Sequence, residues 1–124
     1  MKKSFLLIIV ILISLLACSP VNQNPAIVVQ NYLKALVKKD TAVLVSMVCN
    51  GSEAEAQKEL DSFQNVGTTL EGLNCSMISQ SEKNASVICQ GAIILTYDTE
   101  IQKIDLSKRN YQLILENNEW RVCK

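Results

Sequence analysis

The spacing of apolar residues changes at Gly67, and this change limits the fold more than any other feature of the sequence. Before Gly67, apolar residues recur every three or four positions, which is the period of one face of an α-helix. After Gly67 they alternate with polar residues, which is the period of a β-strand. Helices followed by strands predict an α+β fold, in which an antiparallel sheet packs against the helices.

Three helices are predicted ahead of Gly67. The first begins at Pro25, because Asn24 is a good N-cap and proline loses no hydrogen bond at the first helical position. The second covers 41–49 and is apolar almost all round, which predicts that it is buried. The third covers 52–67, with Ser52 and Glu55 as a capping box and Gly67 as the C-cap. The apolar face of the first helix consists of Val29, Tyr32, Leu33, Leu36 and Val37.

Four strands are predicted after Gly67. Turns are expected at 79–84, at 98–100 and at Asn117-Asn118, the last of these a tight hairpin. The second strand is apolar on both faces, so it should lie in the middle of the sheet. The strands surround 73–77, 87–97, 104–115 and 119–124. The predicted architecture is therefore a curved four-stranded antiparallel sheet covered by the N-terminal helices.

The N-terminus has the features of an export signal. Lys2 and Lys3 precede an apolar run from Phe5 to Ala17, which is too short for a membrane-spanning helix of about 20 residues. The run ends in Leu-Leu-Ala-Cys, 15–18, which resembles the bacterial lipobox. That resemblance implies cleavage before Cys18 and attachment of acyl chains, which would anchor the protein in a lipid bilayer.

This interpretation divides the chain into three parts. Residues 1–17 are the predicted signal peptide, 18–24 a lipidated tether, and 25–124 a single α+β domain. The predicted location is outside the cytoplasm, on the bacterial cell membrane or the outer membrane. The alternatives are a secretory signal that precedes an unmodified cysteine, and an uncleaved anchor.

Composition excludes several classes of function. The 12 basic and 12 acidic residues of the full chain balance, and removal of Lys2 and Lys3 leaves a net charge of −2. The sequence has no basic stripe, so a nucleic-acid partner is not expected. It has no histidine, which removes histidine-based triads and imidazole metal sites. No cofactor and no metal are predicted.

Four cysteines remain once Cys18 is assigned to lipid, and an even number in an exported chain predicts two disulfides. Cys75 and Cys89 lie symmetrically about Glu82 in the predicted hairpin, which favours Cys75–Cys89 together with Cys49–Cys123. The alternative pairing is Cys49–Cys75 with Cys89–Cys123. A four-thiolate zinc site is disfavoured because no CxxC pair is present. The absence of CxxC also disfavours a thiol-redox protein.

The first helix has the form Pro-x-x-x-Val-x-x-Tyr-Leu-x-Ala-Leu-x-x-x-Asp, and the last strand has Glu-Trp-Arg-Val, 119–122. The matching positions of the helix are Pro25, Val29, Tyr32, Leu33, Ala35, Leu36 and Asp40. Over residues 25–124 this pattern resembles the nuclear transport factor 2-like, or cystatin-like, proteins, and most of all the short bacterial lipoproteins of unknown function with that fold. The resemblance implies a pocket between the helices and a bent sheet. Some members use Asp–His or Asp–Arg–Tyr catalytic sets there, whereas others only bind, dimerise or brace.

Candidate pocket residues are Tyr32, Tyr97 and Trp120, although a tryptophan in a small domain often packs in the core. Other charged groups have simpler explanations. Tyr97, Asp98, Glu100 and Asp105 are expected in a solvated hairpin loop. Lys108 and Arg109 are expected at the surface, and a solvated helix face is expected for Glu53, Glu55, Glu59 and Asp61.

The sequence therefore predicts a membrane-anchored lipoprotein that is not an enzyme. Its disulfide-stabilised domain would bind a small molecule or a protein, or support the cell envelope. The predicted partner is the lipid bilayer, which the chain contacts through acylated Cys18. The alternative is an enzyme or small-ligand carrier that uses the pocket of the nuclear transport factor 2-like fold. That alternative predicts a buried carboxylate with a raised pKa in a real cavity.

Overall fold

A computed structural model describes residues 23–124. The predicted signal peptide, Cys18 and most of the tether lie outside these residues. The described chain contains three helices, five strands and a short 3₁₀ turn. They are α1 (Pro25–Lys38), α2 (Thr41–Ser46), α3 (Glu53–Asp61), β1 (Gly67–Gln80), β2 (Asn84–Tyr97), β3 (Glu100–Asp105), the 3₁₀ turn (Leu106–Lys108), β4 (Asn110–Glu116) and β5 (Glu119–Cys123).

The strands form one antiparallel sheet in the order β1-β2-β4-β5, and β3 also pairs with β2. Strand β3 pairs with 92–97 of β2, and β4 pairs with 84–88. The predicted third strand is thus present but broken by the 3₁₀ turn, which begins at the buried Leu106. The sheet has four strand positions, as expected, and the helices pack on its inner face.

Helix α1 begins and packs as predicted. The side chain of Asn24 accepts a hydrogen bond from the backbone N–H of Ala26 at 2.9 Å, and Pro25 follows it as the first helical residue. The predicted apolar face is fully buried except for Val37, which is partly buried. This helix therefore supplies the centre of the core between the helices and the sheet.

Helix α2 is shorter and more exposed than predicted. It ends at Ser46, only Leu44 is buried, and Val43 is 45% exposed. The chain leaves the helix because 47–49 pairs with the last strand instead. Cys49 N–H donates to the Val122 carbonyl at 2.8 Å, and Val122 N–H donates to the Met47 carbonyl at 2.9 Å. The expectation of a fully buried helix over 41–49 is wrong.

The predicted capping box is also wrong. The Ser52 side chain makes no capping bond to α3. Its hydroxyl oxygen instead accepts a hydrogen bond from the backbone N–H of Lys124 at 3.0 Å. Helix α3 ends at Asp61, and Gly67 is the first residue of β1 rather than a C-cap. A tertiary contact has replaced the local one that the sequence pattern suggested.

The hairpin turns agree with expectation. Asn117 and Asn118 have φ of 50° and 63°, as a tight turn with two left-handed residues requires. Strands β1 and β2 are joined by 81–83, and two register shifts interrupt their pairing, one between Glu71 and Asn74 and one between Met77 and Ser79. Cys75 remains directly opposite Cys89.

Candidate functional site

Five polar side chains from distant parts of the chain meet at one end of the core. Tyr32 comes from the buried face of α1 and Glu59 from α3. Arg109 follows the 3₁₀ turn, Tyr111 lies on β4, and Lys124 follows β5. We call these five residues the Glu59 cluster, because the carboxylate of Glu59 is its centre.

The carboxylate of Glu59 has three partners. The Tyr32 hydroxyl donates to Oε2 at 2.7 Å, and Arg109 Nη1 donates to Oε1 at 2.9 Å. The Lys124 ammonium forms an ion pair with Oε2. Its nitrogen also lies 5.3 Å from the centroid of the Tyr32 ring, within the range of a cation–π contact. One carboxylate therefore binds two cations and a phenol.

Burial and pairing have opposite effects on the pKa of Glu59, whose side chain is 16% exposed. Burial favours the neutral acid and would raise the pKa. The hydrogen bond and charge of Lys124, the Tyr32 hydroxyl and the Arg109 charge outweigh burial, so the pKa of Glu59 lies below its ordinary value. A carboxylate held ionised by three donors is a weak proton acceptor, so the geometry does not favour a general base at this position.

The two tyrosines remain protonated over a wide pH range. Burial is the main cause that raises the pKa of Tyr32, and the adjacent negative charge of Glu59 raises it further. Burial also raises the pKa of Tyr111, although the neighbouring Arg109 guanidinium partly offsets this effect. The Tyr111 hydroxyl is buried and makes no hydrogen bond of ordinary geometry with the described residues. Neither phenol is poised as a nucleophile or base at neutral pH.

Lys124 is held in the cluster by the residues around it. Cys123, its neighbour, forms a disulfide with Cys49, with 4.9 Å between the Cα atoms. The backbone N–H of Lys124 donates to Ser52, one residue before α3. These contacts fix the end of β5 beside α3, so that the Lys124 side chain reaches Glu59.

The second disulfide joins Cys75 to Cys89 across β1 and β2, with Cα atoms 4.0 Å apart. So short a distance favours a non-hydrogen-bonded cross-strand pair, because the Cα atoms of a hydrogen-bonded pair lie farther apart. The Cys75 N–H points away from β2 and donates to the Gln30 side chain at 3.2 Å. Both disulfides have the pairing favoured from the sequence.

The three predicted pocket residues do not meet in one groove. Tyr32 is fully buried in the Glu59 cluster. Tyr97 flanks the β2–β3 turn, is 39% exposed and is paired with Glu100 across the hairpin. Trp120 is nearly buried, and its indole Nε1 has no hydrogen-bond partner among the described residues.

Two surface grooves lie beside α2 and the β4–β5 turn. The first has a volume of about 280 Å³ and is lined in part by Trp120, Met47 and Val28. The second is wider, about 530 Å³, and is lined mostly by polar groups such as Asn50, Glu53 and Glu116. Glu59 lines neither groove. Helix α3 thus has one carboxylate, Glu59, in a cluster of charges and another, Glu53, at a groove.

The loop residues near β3 behave as expected. Asp105 accepts hydrogen bonds from the Ser107 N–H at 2.9 Å and the Ser107 hydroxyl at 2.7 Å, and these bonds lower the pKa of its carboxyl. The Asp105 side chain therefore serves as the N-cap of the 3₁₀ turn. Asp98, Glu100 and Asp105 are all exposed.

Arg109 and Glu59 are the residues whose role the sequence did not reveal. The expectation of a solvated Glu59 is wrong because α3 places it beside the inward-facing Ala56 and Leu60. That position at the edge of the apolar face was a readable signal. Its partners were not readable, because Tyr32 and Arg109 are 27 and 50 residues away in the sequence.

Residues 23–124 contain neither a candidate metal-binding cluster nor a candidate membrane-spanning helix. This part of the chain contains no group of three or more Cys, Asp or Glu side chains that could hold a metal ion. None of its helices is long and apolar enough to span a membrane.

Comparison with solved structures supports the fold. The chain is similar to a nuclear transport factor 2-like protein with a cystatin-like fold from Novosphingobium aromaticivorans, with a TM-score of 0.55 and 10% identity, over 78% of this chain and 73% of that one. It is also similar to a SEC-C motif-containing protein from Rhodopseudomonas palustris, with a TM-score of 0.54 and 10% identity, over 82% of this chain and 79% of that one. No protein-family model and no curated protein matches the sequence. The chain therefore has a cystatin-like α+β fold, and at this identity the likeness extends to the fold alone.

Proposed function

We propose that this chain is a membrane-anchored lipoprotein whose domain binds a partner or ligand, or braces the cell envelope, without catalysing a reaction. The observation that carries the non-catalytic part is the state of Glu59. Its carboxylate is engaged by Tyr32, Arg109 and Lys124, and its pKa is lowered rather than raised. Such a group stabilises the fold but has little capacity to move a proton.

The lipoprotein part of the proposal is supported by two independent features. The sequence before Cys18 has the order of charge, apolar run, small residue and cysteine that lipid attachment requires. The four other cysteines form two disulfides, which fit an oxidising compartment outside the cytoplasm.

Intact mass spectrometry of the membrane-extracted protein tests this proposal. Thiols are alkylated before reduction in one sample and after reduction in the other. We expect a chain that begins at Cys18 and carries acyl groups, with four thiols that react only after reduction. A chain that begins at another residue, or an unmodified Cys18, would contradict the lipoprotein proposal. Thiols that react before reduction would contradict the disulfides and would make a reaction at a free cysteine a candidate function.

A small-ligand carrier is the second candidate. The surface groove lined by Trp120, Met47 and Val28 favours it. A buried indole N–H without a partner costs free energy, and a ligand with an acceptor atom could satisfy it after a small rearrangement. The protein has a single tryptophan, so its fluorescence reports on this position alone. Native mass spectrometry of purified protein tests the candidate. Two results would favour the carrier: a bound small molecule that is absent from the Trp120→Phe variant, and tryptophan fluorescence of the wild type that changes when the molecule is bound. A wild-type protein with no bound molecule would favour the first proposal.

A further inference from the structure

The outer surface of α1 is a single stripe of four side chains. Ile27, Asn31, Lys34 and Lys38 are the exposed residues of this helix, and every other residue in it is buried or partly buried. Their spacing of four, three and four residues places them on one line along the helix. At a rise of 1.5 Å per residue the line is about 16 Å long. We call these four residues the α1 stripe.

The α1 stripe is positively charged in a protein that is otherwise slightly acidic. Residues 25–38 contain two lysines and no Asp or Glu. Lys34 and Lys38 form no ion pair with a described residue. Lys39, by contrast, points to the domain and donates to the Val66 carbonyl at 2.6 Å. The nearest acidic residue in the sequence, Asp40, is occupied in capping α2, where it accepts from the Val43 N–H. The helix dipole accounts for a cation in the last turn, such as Lys38, but less well for Lys34 one turn earlier.

The position of α1 in the chain identifies the surface that it meets. If Cys18 carries lipid, as the proposed function states, the six residues 19–24 link the anchor to Pro25. A fully extended segment of that length spans about 20 Å. The first turn of α1, with its half-exposed Ile27, is therefore held close to the lipid headgroups. Lys34 and Lys38 follow about two and three turns farther along the same stripe.

We propose that the α1 stripe docks the domain on an anionic phospholipid surface, an inference that rests on the proposed lipid anchor. Ile27 contacts the interface, while Lys34 and Lys38 lie against phosphate groups. Each lysine near an anionic surface raises the equilibrium constant for docking about fivefold, so two lysines together raise it on the order of 30-fold. That is weak for a free protein, but the anchor makes the contact intramolecular, and a weak contact is then sufficient. The inner face of α1 stays in the core, so docking requires no change of fold.

Lysine labelling on vesicles tests the docking. The mature lipidated protein is inserted into vesicles of phosphatidylcholine alone or of phosphatidylcholine with phosphatidylglycerol. It is treated briefly with an amine-acetylating reagent and analysed by peptide mass spectrometry. Lys103 is the internal control, because it pairs with Glu71 on the outer face of the sheet, opposite the helices.

We expect acetylation of Lys34 and Lys38 to fall several-fold on the anionic vesicles relative to the neutral ones, with Lys103 unchanged and with recovery at high salt. Equal labelling on both vesicles would overturn the docking while leaving the anchor intact. Protection in isolated envelopes but not on pure lipid would also overturn it, in favour of an acidic protein partner. Protein that fails to float with either vesicle would overturn the anchor and the docking together, and the intact mass identifies that case.

Discussion

At the scale of single residues, Glu59 shows how the fold changes the chemistry of a side chain. A glutamate on an exposed helix face would be ionised and energetically neutral. Here it is largely buried, and its ionised form is retained because Lys124, Tyr32 and Arg109 surround it. Removal of one member of such a cluster leaves the others without a partner in a desolvated position, which costs more than the pair itself contributes.

The variant Glu59→Gln should lower the free energy of unfolding by about 2 to 3 kcal/mol at neutral pH. The folded-state pKa of Glu59 is lowered, so its contribution is complete above the unfolded-state pKa of about 4.3. The contribution is lost as pH falls through the folded-state value. Urea unfolding at pH 7 and at progressively lower pH should therefore show the wild type and the variant converging in acid.

Glu55→Gln is the matched control for this prediction. Glu55 lies on the same helix and is exposed, so its substitution should change stability little at either pH. If Glu59→Gln lowers the free energy of unfolding by the same amount in acid as at neutral pH, the amide disturbs packing and the charge of Glu59 has no special role.

At the scale of elements, the bend of the long β1–β2 hairpin depends on two glycines that touch. Gly72 and Gly91 have positive φ, of +62° and +105°. A Cβ added at Gly91 would lie 2.5 Å from the Glu71 carbonyl oxygen and 2.6 Å from the Gly72 carbonyl oxygen. The two backbones can approach this closely only because Gly91 has no side chain, and the register shift between Glu71 and Asn74 occurs at the same place.

Gly91→Ala should destabilise the protein by about 3 kcal/mol or more, because backbone strain and a backbone clash act together. Gly51→Ala is the matched control. Gly51 also has a positive φ, +92°, but its added Cβ would meet no atom within 4 Å. It should therefore cost only about 1 kcal/mol. Equal losses for the two variants in urea unfolding would contradict a role for the close contact.

At the scale of the whole molecule, the two disulfides constrain different lengths of chain. Cys75–Cys89 spans 14 residues within one hairpin, whereas Cys49–Cys123 spans 74 residues. The Cys49–Cys123 disulfide joins the segment that follows α2 to the last strand, so the loop that it closes contains most of the domain. A crosslink that closes a longer loop removes more conformational entropy from the unfolded chain.

Replacement of both cysteines of a pair by alanine should reveal this difference. The chain-entropy relation predicts a loss of about 3 kcal/mol for Cys75→Ala/Cys89→Ala and about 4.5 kcal/mol for Cys49→Ala/Cys123→Ala. Each double variant is compared with the wild type by urea unfolding under non-reducing conditions. A larger loss for the hairpin pair would contradict the entropic account and would indicate that local packing of the sulfurs dominates.

The sequence by itself determined the class of fold, the start of α1, the hairpin turn at Asn117-Asn118 and the favoured cysteine pairing. Each of these depends on residues within a few positions of one another or on the alternation of a strand, except Cys49–Cys123, which is the pair that remains once Cys75 is paired with Cys89. The sequence did not predict the early end of α2, the contact that replaced the capping box at Ser52, or the break in the third strand. In the first two, a contact with a distant segment outweighed a local preference. The 3₁₀ turn that breaks the third strand is capped locally by Asp105.

Tertiary structure alone decided the Glu59 cluster. The sequence showed a glutamate at the edge of an apolar helix face, but α1, α3, the 3₁₀ turn and β5 had to pack before its partners came within reach. Periodicity reports which face of an element is buried, because that depends on the geometry of a single helix or strand. It does not report which elements meet, because that depends on how all the buried faces fill one core.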